Sequence, residues 1–196
     1  MEAKKTFYNN YYFRSKLEAK WAVFFDKCFI KYVYEPESYM SLSGQQYTPD
    51  FYLPEAVLRT GYEFDDRLHE LIKMGPGVYI EIKPLGYTCD DGYKKRISEA
   101  INPSPLILLV GDPVSAINHN QKFNTNTNEN EQLSPYWDNC MVLMYCKNCG
   151  KVKFEFDEGN YYICNKCGED ISGSELNKQA IEARNFRFQF YNVNNK

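Results

Sequence analysis

No stretch of the chain is long and apolar enough to span a bilayer, since PLILLVG at residues 105–111 falls far short of the about 20 residues a membrane helix needs. The opening segment MEAKKTFYNNYYF also lacks the uninterrupted apolar run of a signal peptide. A cytoplasmic protein with no membrane partner is therefore expected. Histidine is scarce. His69 and His119 have no companion at ligand spacing, so both are expected to face solvent and no histidine base enters the expected chemistry. GYT at 86–88 and GDP at 111–113 lack the spacing of a nucleotide-binding glycine loop and read as turns. An excess of positive charge is missing too: the chain carries −3 at pH 7, which neither supports nor excludes a polyanionic partner.

Apolar and aromatic material is plentiful. The 196 residues are 43% hydrophobic and 16% aromatic, enough for one core, or one core with a small appendage, and too much for a mostly disordered chain. Charge is unevenly spread. Residues 1–34 hold seven Lys or Arg against three acids, the last nineteen residues hold four against one, and 50–74 is acidic. Basic ends can create a local positive field that the total conceals.

In RSKLEAKWAVFFDKCFI, Leu17, Trp21, Phe24 and Cys28 recur every three or four residues, the period of an amphipathic helix. KYVYEPE and YTPDFYL read as two strands, 54–77 as an acidic insertion with a short helix in its middle, and VYIEIKP as a third strand ended by Pro84. CDDGYKKRISEAIN supplies a second helix, started by Asp90 or Asp91, and PLILLVG a buried strand. Helix, three strands, helix, strand is an α/β order, packed most economically as a small mixed sheet covered by helices. This unit spans 1–117. The Asn-rich segment 118–138 reads as a linker or loop, 139–173 as a small separate unit, and 174–196 as a closing helix and tail.

Three charges interrupt the apolar strands. Alternation puts Glu81 and Lys83 on one face of VYIEIKP together with Tyr79, and sends Ile80 and Ile82 to the other. Asp50, on the neighbouring strand, can bring its carboxylate close to Glu81. Two such carboxylates repel unless a cation or shared proton intervenes, and hard oxygen ligands suit Mg²⁺ or Mn²⁺. Lys83 can neutralise charge developing on a phosphate or hold an attacking water. A salt bridge on a solvated edge strand explains the same spacing. Glu18 has two readings as well: Ser15 and Glu18 make a capping box, and Glu18 also lies near enough to the buried face to reach a metal on the sheet.

The ordered set FRSKLEAKWAVFFD, YTPDFYLP, VYIEIKP, a Lys-rich helix and LILLVGDP resembles the PD-(D/E)XK, or restriction-endonuclease-like, nuclease superfamily over about residues 12–115. The resemblance implies an αβββαβ core and an endonuclease that hydrolyses DNA phosphodiester bonds with Mg²⁺ or Mn²⁺. It implies that Asp50 and Glu81 are metal ligands, that the backbone carbonyl of Ile82 adds a ligand, that Lys83 is the catalytic lysine, and that Glu18 completes or orients the metal shell. Lys94, Lys95 and Arg96 follow the metal strand as phosphate contacts or as an ordinary solvated helix face. The insertion before VYIEIKP departs from the family pattern. A nonenzymatic nucleic-acid-binding or assembly protein on the same scaffold is the alternative.

Cys146, Cys149, Cys164 and Cys167 form CxxC, a spacer of fourteen, and CxxC, each pair followed by glycine. Four thiolates at this spacing read as a closed tetrahedral Zn²⁺ site in a zinc-ribbon-like module, organising rather than catalysing. Lys151 and Lys153 in this module, and Arg184 and Arg187 in the closing helix, are candidate nucleic-acid contacts. Cys28 is expected in the core. The expected partner is DNA, with a homodimer or larger nucleoprotein assembly left open.

Overall fold

The chain opens in a hairpin of β1 (Thr6–Tyr8) and β2 (Tyr11–Phe13). Its two turn residues, Asn9 and Asn10, both take positive φ, 46° and 66°, as a tight two-residue connection requires. The computed structural model describes residues 5–58, 77–87, 91–101, 106–118, 125–126, 133–134, 141–146, 148, 152–156, 162–163, 167, 170–171 and 174–188. Helix α1 (Lys16–Lys27) starts where the sequence signals it: Ser15 is the N-cap and its hydroxyl accepts from the Glu18 N–H at 3.1 Å. The periodic face is buried, with Trp21, Phe24 and Phe25 almost wholly inside, each contributing on the order of 2 kcal/mol by apolar burial.

Short strands follow: β3 (Val33–Tyr34), the β4 (Tyr39–Met40) and β5 (Gln46–Tyr47) hairpin, β6 (Phe51–Leu53) and β7 (Val57–Leu58). The single strand expected over YTPDFYL is therefore two. Pro49 has no N–H to give to a ladder, and the chain leaves the hairpin at Tyr47 and joins the main sheet at Phe51, with Asp50 in the break. Beyond Gly77 come β8 (Val78–Lys83), α2 (Asp91–Ile101), β9 (Leu106–Val110) and α3 (Pro113–Asn118). The rest comprises β10 (Thr125–Asn126), β11 (Leu133–Ser134), β12 (Met141–Tyr145), β13 (Val152–Phe156), β14 (Tyr162–Ile163), β15 (Asp170–Ile171) and α4 (Ser174–Asn185). The helix expected inside the insertion falls on 59–76, outside the described residues.

The main sheet is mixed, in the order β11-β10-β9-β8-β6-β3. Its centre is the parallel pair β8 and β9, linked by α2, and β6 lies antiparallel on the other side of β8. Val78, Ile80 and Ile82 point into the principal core with α1, while Tyr79 joins Tyr39, Tyr47, Tyr93 and Ile97 in a second cluster on the α2 side. The alternation expected for VYIEIKP thus separates two layers. The molecule is a mixed α/β structure, and among its described residues no helix is long and apolar enough to cross a membrane.

Two connections join distant parts of the sequence. Helix α4 inserts Leu176, Ala180 and Ala183 into the principal core, and Phe188 follows them in. Strand β13 pairs in parallel with β7, Lys153 opposite Val57. In the segment expected to be a linker, Thr125 pairs with Ile107 of β9, and β11 extends the sheet by another strand.

Candidate active site

The register Phe51↔Ile80 on the antiparallel β6 and β8 pair, continued by one residue, sets Asp50 beside Glu81. Both side chains are buried, Asp50 at 4% and Glu81 at 5% exposure. The Ile82 N–H donates to Asp50 Oδ2 at 2.6 Å and the Arg14 guanidinium to Asp50 Oδ1. Ile82 thus orients this carboxylate through its backbone N–H. Glu81 accepts from Lys83 Nζ at 2.6 Å and from the Tyr93 hydroxyl at 2.5 Å on one oxygen, and from the Tyr47 hydroxyl at 2.7 Å on the other. Lys83 lies 4.9 Å from the Tyr93 ring centre and 5.4 Å from that of Tyr87, so two aromatic faces hold its ammonium.

Glu18 closes the third side. Its carboxylate accepts from the Ser15 hydroxyl at 2.7 Å, the Tyr34 hydroxyl at 2.7 Å and the Arg14 N–H at 3.1 Å. The cap at the start of α1 therefore holds Glu18 in place, and from there its charge acts on Asp50. Burial, reinforced by Glu81 and then Glu18, pushes the Asp50 carboxyl up to about 8 against the opposing pull of the Ile82 N–H and Arg14. Burial also raises the Tyr47 and Tyr93 hydroxyls, with Glu81 adding to both, so each remains a proton donor to that carboxylate.

Hard carboxylate oxygens crowded in a buried site have the donor chemistry of a Mg²⁺ or Mn²⁺ centre, and the repulsion of Glu81 and Glu18 on Asp50 is of the kind a cation relieves. Arg14 and Lys83 supply that charge in this conformation. Among the described residues, no three His, Cys, Asp or Glu side chains are disposed as a metal-ligating group.

The other expected contacts are dispersed. Arg96 stacks on Tyr93 at 4.9 Å and bonds Gln45 Oε1 at 3.3 Å, on the same layer as Glu81. Lys94 and Lys95 belong to α2, with side chains outside the described ones, as is that of Lys153 in β13; Lys151 lies outside the described residues altogether. Arg184 is engaged with the protein: its guanidinium donates to both oxygens of Asp112, at 2.8 and 2.6 Å, and to Ser115 Oγ at 3.2 Å. Arg187 is exposed just beyond α4. GDP forms the expected turn, where Gly111 takes φ +88° and an added Cβ would meet Ser115 Cβ at 2.9 Å.

The first CxxC pair lies between β12 and β13 in the sequence and the second between β14 and β15, each flanked by an antiparallel strand pair. Cys146 Sγ and Cys167 Sγ are 3.4 Å apart, far beyond the about 2.05 Å of a disulfide and of the order of two thiolates sharing one tetrahedral Zn²⁺. Cys149 and Cys164 lie outside the described residues, as do Cys89, Cys140, His69 and His119. Cys28 is in the core as expected, its thiol pushed up to about 12 by burial.

Arg14, Tyr34, Tyr47 and Tyr93 are the site residues that sequence reasoning missed. The one signal available was compositional: 17 tyrosines supply many hydroxyl donors to a chain with buried acids. No protein-family model matches the chain, and no curated protein or solved structure matches it.

Proposed function

We propose that the protein is a divalent-metal-dependent endonuclease hydrolysing DNA phosphodiester bonds. The observation that carries this reading is the meeting of Asp50, at the entry to β6, with Glu81 and Lys83 of the adjacent β8, with Glu18 close enough to act on the Asp50 charge. The resemblance noted in the sequence supplies the substrate class. The helix, three strands, helix and strand α1, β3, β6, β8, α2 and β9 follow the order that the superfamily would have. Asp50 and Glu81 would hold Mg²⁺ or Mn²⁺, which when bound supplies Lewis-acid polarisation of a phosphate and a more acidic water. Lys83 stabilises the negative charge that grows on the phosphorus oxygens, from a position fixed by Glu81 and two aromatic rings. Tyr47 and Tyr93 orient Glu81, and the Ile82 N–H orients Asp50, so little reorganisation remains for the reaction itself.

For the C-terminal unit the reading is a structural Zn²⁺ held by Cys146, Cys149, Cys164 and Cys167 in a ribbon that steadies the fold or adds nucleic-acid contacts. The cytoplasm is the expected compartment.

One observation favours the binding-protein alternative. Every carboxylate oxygen of Asp50 and Glu81 already has a donor, the state of a scaffold whose charges are satisfied internally. Purified protein incubated with plasmid, linear and branched DNA under Mg²⁺, Mn²⁺ and chelator separates the two. Metal-dependent cleavage that Lys83→Ala removes supports the enzyme; DNA binding with no cleavage under any metal supports the scaffold.

A further inference from the structure

We propose that Arg14 is the built-in counter-ion of the site, a positioning residue that occupies Asp50 when no metal is bound and yields that carboxylate to a divalent cation while remaining tethered to Glu35. The divalent cation in this proposal rests on the nuclease reading. Three structural features point to it. The guanidinium spans carboxylates of unlike surroundings, its Nη2 on Asp50, 4% exposed, and its Nε on Glu35 Oε1 at 2.7 Å, 35% exposed, with Glu18 Oε2 further off at 4.0 Å from the same Nε. The arginine side chain is itself 51% exposed, so it has room to turn outward without repacking the core. Glu35 takes φ +45°, unfavourable for a residue with a Cβ, and its N–H donates to the Asp50 carbonyl at 2.9 Å. The backbone thus accepts strain at the residue that tethers Arg14, immediately against the residue Arg14 covers.

The physical consequence is competition. A cation approaching Asp50 meets a like charge at hydrogen-bond distance and must displace it, so part of the affinity of the acids for metal is spent on releasing Arg14. Without Arg14 the carboxylates would repel one another, the metal-free fold would weaken, and metal would bind more tightly. A purely structural ion pair predicts loss of stability with no gain in affinity. This competition also accounts for acids of metal-binding type whose oxygens are all engaged.

The test is Mn²⁺ binding by calorimetry, with thermal melts in chelator and in Mn²⁺, on the full chain and on Arg14→Gln and Arg14→Lys. Arg14→Gln should melt lower in chelator, bind Mn²⁺ about tenfold more tightly, and gain more from Mn²⁺ than the parent does, because a like charge has been removed from the site. Arg14→Lys keeps the charge but loses the planar fork that spans Asp50 and Glu35, so its affinity should lie between the two. It carries the test alone if Arg14→Gln does not fold, and then an affinity no tighter than the parent's overturns the proposal. Equal affinity in parent and Arg14→Gln overturns the proposal and leaves the metal site standing. Mn²⁺ binding by Arg14→Gln alone supports it in its strongest form. Absence of binding in all three overturns both the proposal and the nuclease reading.

Discussion

Lys83 is the residue on which chemistry and mere binding separate most sharply. Its ammonium is held by Glu81, Tyr87 and Tyr93, and under the nuclease proposal its loss would remove a prepositioned charge from the phosphate while Tyr47 and Tyr93 still hold Glu81. Lys83→Ala should lower cleavage by roughly 10²–10³-fold with DNA affinity little changed, read by paired cleavage and salt-controlled binding assays. Equal loss of both would make Lys83 a substrate contact only. Asp50 gives a pH dependence whose direction follows from burial. Its carboxyl is raised to about 8 in the folded protein, against roughly 3.9 in an unfolded chain, so the metal-free folded state holds the proton more tightly. The stability from that proton is complete below about pH 4 and is lost as pH rises through about 8. The metal-free melting temperature should therefore fall between pH 5 and 8.5, and Asp50→Asn should flatten the fall. Asp112 does not confuse this window: burial pushes its carboxyl up, but the Arg184 bond and the Ser115 N–H outweigh that and depress it. The shared face of Glu81 and Lys83 was legible because strand alternation is local, while Asp50 and Glu18 were singled out through the resemblance. Arg14 was not, because the carboxylates its guanidinium binds most closely, Glu35 and Asp50, are 21 and 36 residues away and only the fold brings them to it.

At the scale of elements, periodicity reported what lies within one helix or strand and missed what pairs across the chain. The apolar stripe of α1, its Ser15 cap and the alternation of β8 were all readable. The break at Pro49 was present in the sequence, yet a proline also tolerates a strand edge, so it did not by itself divide YTPDFYL. Docking of α4 was invisible because a stripe of Leu176, Ala180 and Ala183 names no partner. In the structure that stripe enters the same core as Trp21 and Phe24, and Arg184 fastens it to Asp112 at the cap of α3, where Asp112 also accepts from the Ser115 N–H at 3.0 Å. Leu176 is 2% exposed, so Leu176→Ala should destabilise the protein by about 2–4 kcal/mol through lost burial and a residual cavity. Ile181 on the same helix is 49% exposed, and Ile181→Ala should stay within about 0.5 kcal/mol. Urea unfolding of both variants checks the contrast, and similar losses would mean that α4 is not held by this face.

For the whole molecule, the question is how the cysteine-bearing unit depends on the rest. If the four cysteines hold zinc as proposed, a unit this small would draw much of its folding energy from that coordination. Its flanking segments, however, have anchors of their own: β13 pairs with β7, and α4 is fixed by the principal core and by Arg184. Loss of the metal should therefore loosen the middle of the C-terminal half without releasing its end. Elemental analysis should find one zinc per chain, and iron with sulfide would overturn the assignment. After zinc is stripped by a chelator, or in Cys146→Ser, amide exchange should quicken across 141–171 while α4 and α1 stay protected together. That result would make zinc the local organiser of a unit attached to an independently stable α/β body. Exchange that quickens equally in α1 and α4 would instead place the cysteine unit within the cooperative core, and zinc removal would then abolish cleavage by unfolding the site around Asp50 rather than by weakening DNA binding.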